Sequence, residues 1–193
     1  MKTFTIIGGV NGAGKSSLSG VLQSERRDLG EIINVDEIAA SREISNIEAG
    51  KFALAKIKQL MNKGLNFSQE TTLSGIKTSQ TISRARRRGY YIRLYYVGLE
   101  TVEESIARIR VRAENGGHYI PDEDVVRRFN FRYANLMRIL PQCDEVHFYD
   151  NGNGFIEVAR IIDGQLLFRQ TVTPKWMVEL SGHIQKAKDS NRM

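Results

Sequence analysis

The chain has 193 residues, of which 41% are hydrophobic and 26% charged, a composition typical of a globular protein that excludes a disordered or collagen-like chain. A single cysteine, Cys143, excludes an internal disulfide framework, three dispersed histidines give no zinc-site spacing, and no run approaches the roughly 18 apolar residues of a membrane span. The lone cysteine favours a reducing cytoplasm, and no membrane partner is expected. The net charge of +6 permits a polyanionic partner, but no aromatic and basic RNA-binding pattern accompanies it, so a nucleic acid is a disfavoured partner.

A glycine-rich stretch near the N-terminus predicts a nucleotide site. Residues 3–8 predict a strand that runs into the sequence GGVNGAGKSS. From Gly9 this sequence satisfies the P-loop pattern, in which glycines bring backbone amides close to a triphosphate, Lys15 neutralises the β- and γ-phosphates and Ser16 ligates Mg²⁺. Residues 62–65 lack the aspartate of a guanine-specificity motif, so we expect ATP and Mg²⁺ as cofactors. The predicted nucleotide contacts in the loop are Gly9, Asn11, Gly12, Ala13, Gly14, Lys15, Ser16 and Ser17.

An acidic residue follows the second predicted strand. A helix from Lys15 to about Arg26 leads to a short strand, residues 31–35, which delivers Asp36 at its C-terminal end. Open α/β sheets place their ligand groups at that end. Small-molecule kinases of this fold often use a carboxylate there to receive the proton of an acceptor hydroxyl. Asp36 is therefore our candidate catalytic base and acceptor-binding residue.

The middle of the chain alternates between helical and strand patterns. Asn46 is the predicted cap of a helix that ends at Lys63, and residues 65–69 predict a strand that ends in Glu70 and Thr71. The next two predicted elements are a helix over about residues 76–88 and a buried strand over residues 90–97. This alternation predicts an α/β fold of the P-loop NTPase type, a three-layer sandwich with a mainly parallel sheet.

Arginine-bearing helices then flank a glycine pair. A helix with Arg112 near its end, the pair Gly116–Gly117 and a second helix over residues 121–140 that carries Arg128 predict a helical lid. The lid spans about residues 108–132 and is expected to close over phosphates. The open alternative is that these arginines form a solvated face.

The C-terminal part predicts a fifth strand, a hairpin and a helix. Residues 144–149 form the strand, residues 155–170 the hairpin, and the final helix begins around Pro174. Between strand and hairpin lies a polar loop that contains Asn151. No composition shift marks a linker, so residues 1–193 are expected to form a single domain.

The P-loop alone does not decide what happens to ATP. The position of Asp36 favours phosphoryl transfer, because a protein built only to hydrolyse ATP needs no acceptor-binding carboxylate. Two alternatives stay open: a regulatory ATP-binding or ATPase module that acts on a protein partner, and a kinase of a nucleoside or of a nucleic-acid end. A transporter-type ATPase is disfavoured, because the signature-like residues 73–75 follow the Asp36–Glu37 pair instead of preceding it.

In combination, these motifs resemble the zeta-toxin family of P-loop kinases, and more closely its compact bacterial relatives. The resemblance extends from the P-loop over most of the chain. The motifs that carry it are residues 34–37, residues 70–75, Arg112 with residues 116–121, residues 127–128 and residues 149–151.

The resemblance implies a role for each matching residue. Lys15 and Ser16 would bind ATP with Mg²⁺, and Asp36 would be the base. The other implied assignments are Glu70 and Thr71 on the acceptor, Arg112 and Arg128 on the transferring phosphate, with Arg127 as the neighbouring alternative, and Asn151 beside the adenine. The best-known members phosphorylate UDP-N-acetylglucosamine and are blocked by an antitoxin. The family thus implies a hydroxyl acceptor, with a UDP-N-acetyl sugar among the candidates, and an antitoxin partner. His118 is expected to be a residue of the lid.

Overall fold

The computed structural model describes residues 1–117 and 119–190. Within this part of the chain the strands are β1 (Thr3–Gly9), β2 (Glu31–Ile33), β3 (Phe67–Thr71), β4 (Tyr91–Gly98), β5 (Glu145–Asp150), β6 (Ile156–Ile162) and β7 (Gln165–Phe168). The helices are α1 (Lys15–Glu25), α2 (Val35–Arg42), α3 (Asn46–Lys63), α4 (Lys77–Arg87), α5 (Val102–Glu114), α6 (Asp122–Asn130), α7 (Arg132–Ile139) and α8 (Lys175–Ser190), with a 3₁₀ turn over Leu140–Gln142. His118, which was expected to lie in the lid, is outside the described residues.

One seven-stranded sheet contains all of these strands, in the order β2-β3-β1-β4-β5-β6-β7. The first five in this order are parallel to one another, whereas β6 and β7 are antiparallel to their neighbours. The predicted mainly parallel sheet and C-terminal hairpin are therefore confirmed. Because β1 pairs with β3 on one side and with β4 on the other, the loop after β1 lies at the middle of the sheet edge.

Helices cover both faces of the sheet. Alternate residues of β1 enter different apolar clusters: Phe4 and Ile6 pack with side chains of α3, α4, α7 and α8, whereas Ile7 packs with α1 and α6. This is the period-two alternation of a strand that is buried on both faces. The predicted three-layer sandwich is confirmed.

The predicted helix over residues 121–140 is two helices. The chain breaks at Phe131, whose φ of −90° and ψ of 5° separate α6 from α7. Before the break, Phe129 packs into the cluster on the α1 face, and after it Leu136 packs into the cluster on the α3 face. A continuous helix cannot bury these two side chains on opposite sides of the sheet, which accounts for the break.

The structure contains a helix, α2, that was not predicted from the sequence, and α3 is capped one residue earlier than expected. The second strand stops at Ile33, because the Asn34 side chain caps α2 and accepts a hydrogen bond from the Asp36 backbone N–H at 3.0 Å. Asp36 therefore lies in the first turn of a helix and does not directly follow a strand. Helix α3 is capped by Ser45, which forms a reciprocal capping box with Glu48.

The buried side chain of Arg93 links β4, β5 and the loop before β2, at the edge of the sheet opposite the P-loop. Arg93 on β4 is 6% exposed and pairs with Asp28 at 2.8 Å and with Glu145 at 2.7 Å. Hydrogen bonds from Arg26 and Arg93 lower the pKa of Asp28. Burial opposes ionisation of Glu145, but the hydrogen bonds from Arg93 and His147 outweigh it and lower the Glu145 pKa as well. The pairing thus favours the charged carboxylates.

Hydropathy gives no sign of a membrane segment in residues 1–117 and 119–190. None of the helices there combines the length and the apolar character that a bilayer crossing requires.

Candidate functional site

The P-loop wraps around the N-terminus of α1. Gly12 and Gly14 adopt φ angles of 73° and 94°, in the left-handed region that favours glycine. A Cβ on Gly12 would also meet the Ser105 carbonyl oxygen at 2.8 Å. Together with the free N–H groups of the first helical turn, this backbone forms a site for anions.

A pocket of about 400 Å³ opens at this loop. Of the predicted nucleotide contacts, the pocket is lined by Asn11, Gly12, Gly14, Lys15, Ser16 and Ser17. Gly9 and Ala13 are not part of this lining: Ala13 is fully buried, and a Cβ on Gly9 would meet the Val97 carbonyl oxygen at 2.6 Å. These two residues therefore contribute to the packing of the loop and are not part of the pocket surface.

The Lys15 ammonium donates a hydrogen bond to the Val10 carbonyl oxygen at 3.0 Å. Burial lowers the pKa of Lys15 to about 8, although the nearby negative charges of Glu70 and Asp36 act in the opposite direction. Arg112 and Arg128 lower it further by like-charge repulsion. The pKa of Lys15 therefore depends on the charges of both carboxylates and of both lid arginines.

Glu70 lies on the P-loop side of the pocket. The register that pairs Ile7 with Glu70 places its carboxylate beside α1, where it accepts hydrogen bonds from Ser16 at 2.9 Å and Ser19 at 2.5 Å. Asn34 donates a third, at 3.0 Å. Glu70 is 7% exposed, so these three donors, and not water, hold the carboxylate in place. Ser19 and Asn34 were not among the predicted site residues.

Asp36 lines the same pocket. It is exposed in the first turn of α2 and lines the pocket together with Thr71, the last residue of β3. The Thr71 hydroxyl accepts a hydrogen bond from the Leu73 backbone N–H at 3.0 Å. Asp36 is thus placed to approach a molecule that lies between α2 and the end of β3.

Three arginines line the pocket: Arg108, Arg112 and Arg128. Arg128 donates to the Asn11 side-chain oxygen at 3.0 Å, and Arg108 donates to the Asn151 carbonyl oxygen at 2.6 Å. Arg108 is not among the predicted site residues, although its i,i+4 spacing to Arg112 places both on one face of α5.

The neighbouring basic residues point elsewhere. Arg127 is exposed and pairs with Asp124 at 2.5 Å. The Arg132 guanidinium lies 3.9 Å from the centre of the Phe129 ring and 4.1 Å from that of Tyr133, away from the pocket lining. The structure therefore brings Arg128, and not Arg127, to the predicted phosphate site.

Asn151 contacts the P-loop from outside the pocket lining. Its side-chain amide donates to the Ala13 carbonyl oxygen at 2.9 Å, and a Cβ on Gly14 would collide with that amide nitrogen. Asn151 therefore supports the loop beside the position at which the nucleotide was predicted.

Comparison with known proteins gives a consistent result. Residues 1–156 match the family model described as zeta toxin. A Haemophilus influenzae protein of uncharacterised function is 35% identical over 131 residues, which are 65% of this chain and 88% of the relative.

Two of the solved structures that share the fold illustrate the likeness. One comes from the PezAT chromosomal toxin-antitoxin system of Streptococcus pneumoniae, with a TM-score of 0.62, 17% identity, and coverage of 97% of this chain and 87% of that one. The other is AvrRxo1-ORF1:-ORF2 with ATP, with a TM-score of 0.68, 17% identity, and coverage of 95% and 63%. At these identities the likeness establishes the P-loop kinase fold alone.

Proposed function

The chain belongs to the zeta toxin family, and we propose that it is an ATP-dependent kinase that transfers the γ-phosphoryl group of ATP to a hydroxyl group of a small molecule. One observation carries this proposal. The P-loop, a carboxylate and lid arginines line a single pocket, which contains Lys15, Asp36, Arg112 and Arg128. A donor site and a base for an acceptor are thereby available within one cleft.

In the proposed reaction the acceptor hydroxyl oxygen attacks the γ-phosphorus. The bond between that phosphorus and the β–γ bridging oxygen breaks, the hydroxyl proton passes to the Asp36 carboxylate, and ADP leaves. Lys15, Arg112 and Arg128 stabilise the negative charge on the transferring group and on the leaving oxygen. The P-loop amides hold the remaining phosphates. Catalysis would rest on positioning and charge neutralisation.

The residues beside the P-loop fit Mg²⁺. Ser16 and Glu70 present hard oxygen atoms at the phosphate site, and Mg²⁺ is commonly bound by one or two such groups together with phosphates and water. Among the described residues, no group of three or more acidic, histidine or cysteine side chains is arranged to hold a metal ion, so an all-protein cage is not expected there. When bound, the ion would neutralise phosphate charge. Ser19 and Asn34 would keep the Glu70 carboxylate oriented toward it.

This placement changes the role proposed for Glu70. The family resemblance implied a contact with the acceptor, whereas the hydrogen bond to Ser16 favours a role on the metal and donor side. Thr71, which lines the pocket beside Asp36, is retained as an acceptor contact. We propose the same for Gln69, whose side-chain oxygen is buried without a hydrogen-bond partner among the described residues.

The acceptor side is polar. Thr72 and Ser74 line it next to Asp36, and the Gln69 oxygen requires a donor. These groups favour an acceptor rich in hydroxyl or amide groups, and a UDP-N-acetyl sugar is our candidate within that class. By family membership we also propose an antitoxin protein as a partner, and a cytoplasmic location where ATP is supplied. Residues 1–193 would form one kinase domain, with a lid over about residues 108–132.

The test is a search for phosphoryl transfer. The protein is incubated with ATP and Mg²⁺ and with UDP-N-acetyl sugars, nucleosides or oligonucleotides that carry a 5′-hydroxyl, and each acceptor is examined for the mass of one added phosphate. We expect the gain on a small molecule. A gain confined to oligonucleotides would favour a nucleic-acid-end kinase, and ATP hydrolysis without any labelled acceptor would favour the ATPase module.

Single substitutions distinguish the proposed role of Asp36 as the base from a role in nucleotide binding. Asp36→Asn is expected to lower turnover by about 10²–10⁴-fold, because the proton loses its acceptor, while ATP affinity changes little. Glu37→Gln is the matched control, since Glu37 is also acidic and lies in the first turn of α2 but outside the pocket lining. Equal turnover in Asp36→Asn and the parent protein would reject the proposal.

A further inference from the structure

A second groove lies between α3 and α4, and it shares no lining residue with the nucleotide pocket. Its volume is about 480 Å³. The groove is built by the C-terminal halves of both helices, which lead toward the starts of β3 and β4. Asp36 and Thr71, in contrast, lie near the ends of the parallel strands. A molecule bound in the groove would therefore leave the nucleotide pocket open.

The floor of the groove is aliphatic apart from the buried Thr81. Leu54, Ile57 and Met61 follow one another at helical spacing along α3 and line the groove together. Ile57 and Met61 are 2% and 7% exposed, whereas Leu54 is half-buried. No aromatic side chain is among the described residues that line it. The floor can accept apolar side chains but has no ring on which a base could stack.

The rim of the groove is cationic. Lys58, Arg84, Arg87 and Arg88 line it and are exposed. Within residues 1–117 and 119–190 no carboxylate forms an ion pair with any of the four. The adjacent Arg86, which lies outside the lining, does pair with Asp144, at 3.0 Å.

The two helices contribute almost no negative charge of their own. Helix α4 contains no acidic residue, and the single one in α3 is Glu48, which is engaged in the capping box at the far end. The rim charges therefore lack local compensation. An aliphatic floor under uncompensated cations is complementary to a surface that is apolar in the middle and acidic at both sides.

We propose that this groove docks an acidic amphipathic helix of a protein partner. Apolar side chains at positions i, i+4 and i+7 of that helix would occupy the floor, and flanking aspartate or glutamate side chains would pair with the rim. A nucleic acid fits less well, because its phosphates would leave the floor unfilled and no aromatic platform receives its bases. The partner would bind without covering ATP.

The experiment uses a panel of dye-labelled 18-residue peptides with leucine or isoleucine at i, i+4 and i+7 and glutamate on either side. Binding to the full chain is followed by fluorescence polarisation, against scrambled peptides and a single-stranded RNA of similar length. We expect at least one patterned peptide to bind more tightly than its scrambled form, and more weakly as salt rises.

Two variants locate the binding. Arg84→Glu/Arg87→Glu reverses the rim, and Leu54→Gln makes the floor polar at a half-buried position. Each is expected to weaken peptide binding about tenfold or more, since complementary charge and apolar burial both contribute. Lys175→Glu/Lys186→Glu is the matched control, because it removes the same charge from exposed positions on α8. ATP binding and the circular dichroism spectrum, measured on every variant, verify the fold.

Three outcomes would overturn the proposal. In the first, no patterned peptide binds better than its scrambled form. In the second, the rim and control variants lose binding equally, which would indicate nonspecific attraction to a basic protein. In the third, RNA binds more tightly than every peptide and depends on the rim but not on Leu54, which would make the groove a polyanion site.

Discussion

The protonation of Lys15 provides a direct test of the proposed phosphate site. Its pKa of about 8 results from burial, which the charges of Glu70 and Asp36 only partly offset. A triphosphate bound in the P-loop would add several negative charges beside the ammonium and raise this pKa. ATP should therefore bind with uptake of a proton when Lys15 is neutral in the free protein.

The sign and size of the effect follow from linkage. Below about pH 7, Lys15 is protonated with and without ATP, so affinity should be flat with respect to this group. As pH rises above about 8, free Lys15 loses its proton first, and affinity should fall by up to about tenfold per pH unit, or about 1.4 kcal/mol. The fall should stop only above the pKa of the bound state.

Isothermal titration calorimetry measures this coupling. ATP with saturating Mg²⁺ is titrated at about pH 7 and about pH 9 in buffers of different ionisation enthalpy, which yields the number of protons taken up. Lys15→Arg should weaken binding but remove the pH dependence, since arginine does not titrate in this range. Lys63→Arg, at an exposed lysine, should retain it. An unchanged affinity between the two pH values, without proton uptake in the parent protein, would refute the argument.

Three further predictions address other parts of the molecule. Glu70→Gln should raise the Mg²⁺ concentration needed for half-maximal turnover by about tenfold, because the variant keeps the shape but loses the charge beside Ser16; an unchanged Mg²⁺ requirement in a kinetic titration would contradict this role. Arg128→Gln should lower turnover by about 10²-fold or more, whereas Arg127→Gln should change it little, because Arg128 lines the pocket and Arg127 does not; similar losses of turnover in both variants in a steady-state assay would contradict this placement of the two side chains. Arg93→Gln should lower the thermal unfolding midpoint at neutral pH, because Arg93 helps to lower the pKa values of Asp28 and Glu145 in the folded protein. The difference from the parent protein should begin to shrink as pH falls below about 4, where these carboxylates take up protons in the unfolded chain, and should shrink further toward their lowered pKa values in the folded protein; a difference that grows at acid pH, measured by differential scanning fluorimetry, would contradict it.

Local patterns predicted those parts of the fold that local interactions determine. The P-loop follows from its glycines and from the apolar strand before it, and the alternation of strands and helices gave the parallel sheet. The break at Phe131 could not be predicted in this way. It arises because Phe129 and Leu136 enter clusters on opposite faces of the sheet, and an amphipathic pattern does not show which face each half will cover.

The same distinction applies to the site. Sequence spacing brought Lys15, Asp36 and Arg128 into consideration, and the structure places all three at one pocket. Sequence spacing could not show that Glu70 approaches Ser16, because that contact depends on the register between β1 and β3. The strand-like pattern of residues 31–35 also hides the cap that Asn34 provides for α2, so it predicts Asp36 at the end of a strand instead of in the first turn of a helix. Long-range register and competing caps account for these differences.

The positions of Arg108 and Arg128 indicate how these side chains could reach the phosphates of a bound nucleotide. A glycine pair between two helices favours a lid that moves over the phosphates, but Arg128 is already in contact with Asn11 of the P-loop at 3.0 Å. Arg108 likewise bridges α5 to the loop after β5 through Asn151. These guanidinium groups can reach a phosphate in the loop by exchanging one hydrogen-bond acceptor for another, which requires rotation of side chains and no large displacement of the helices.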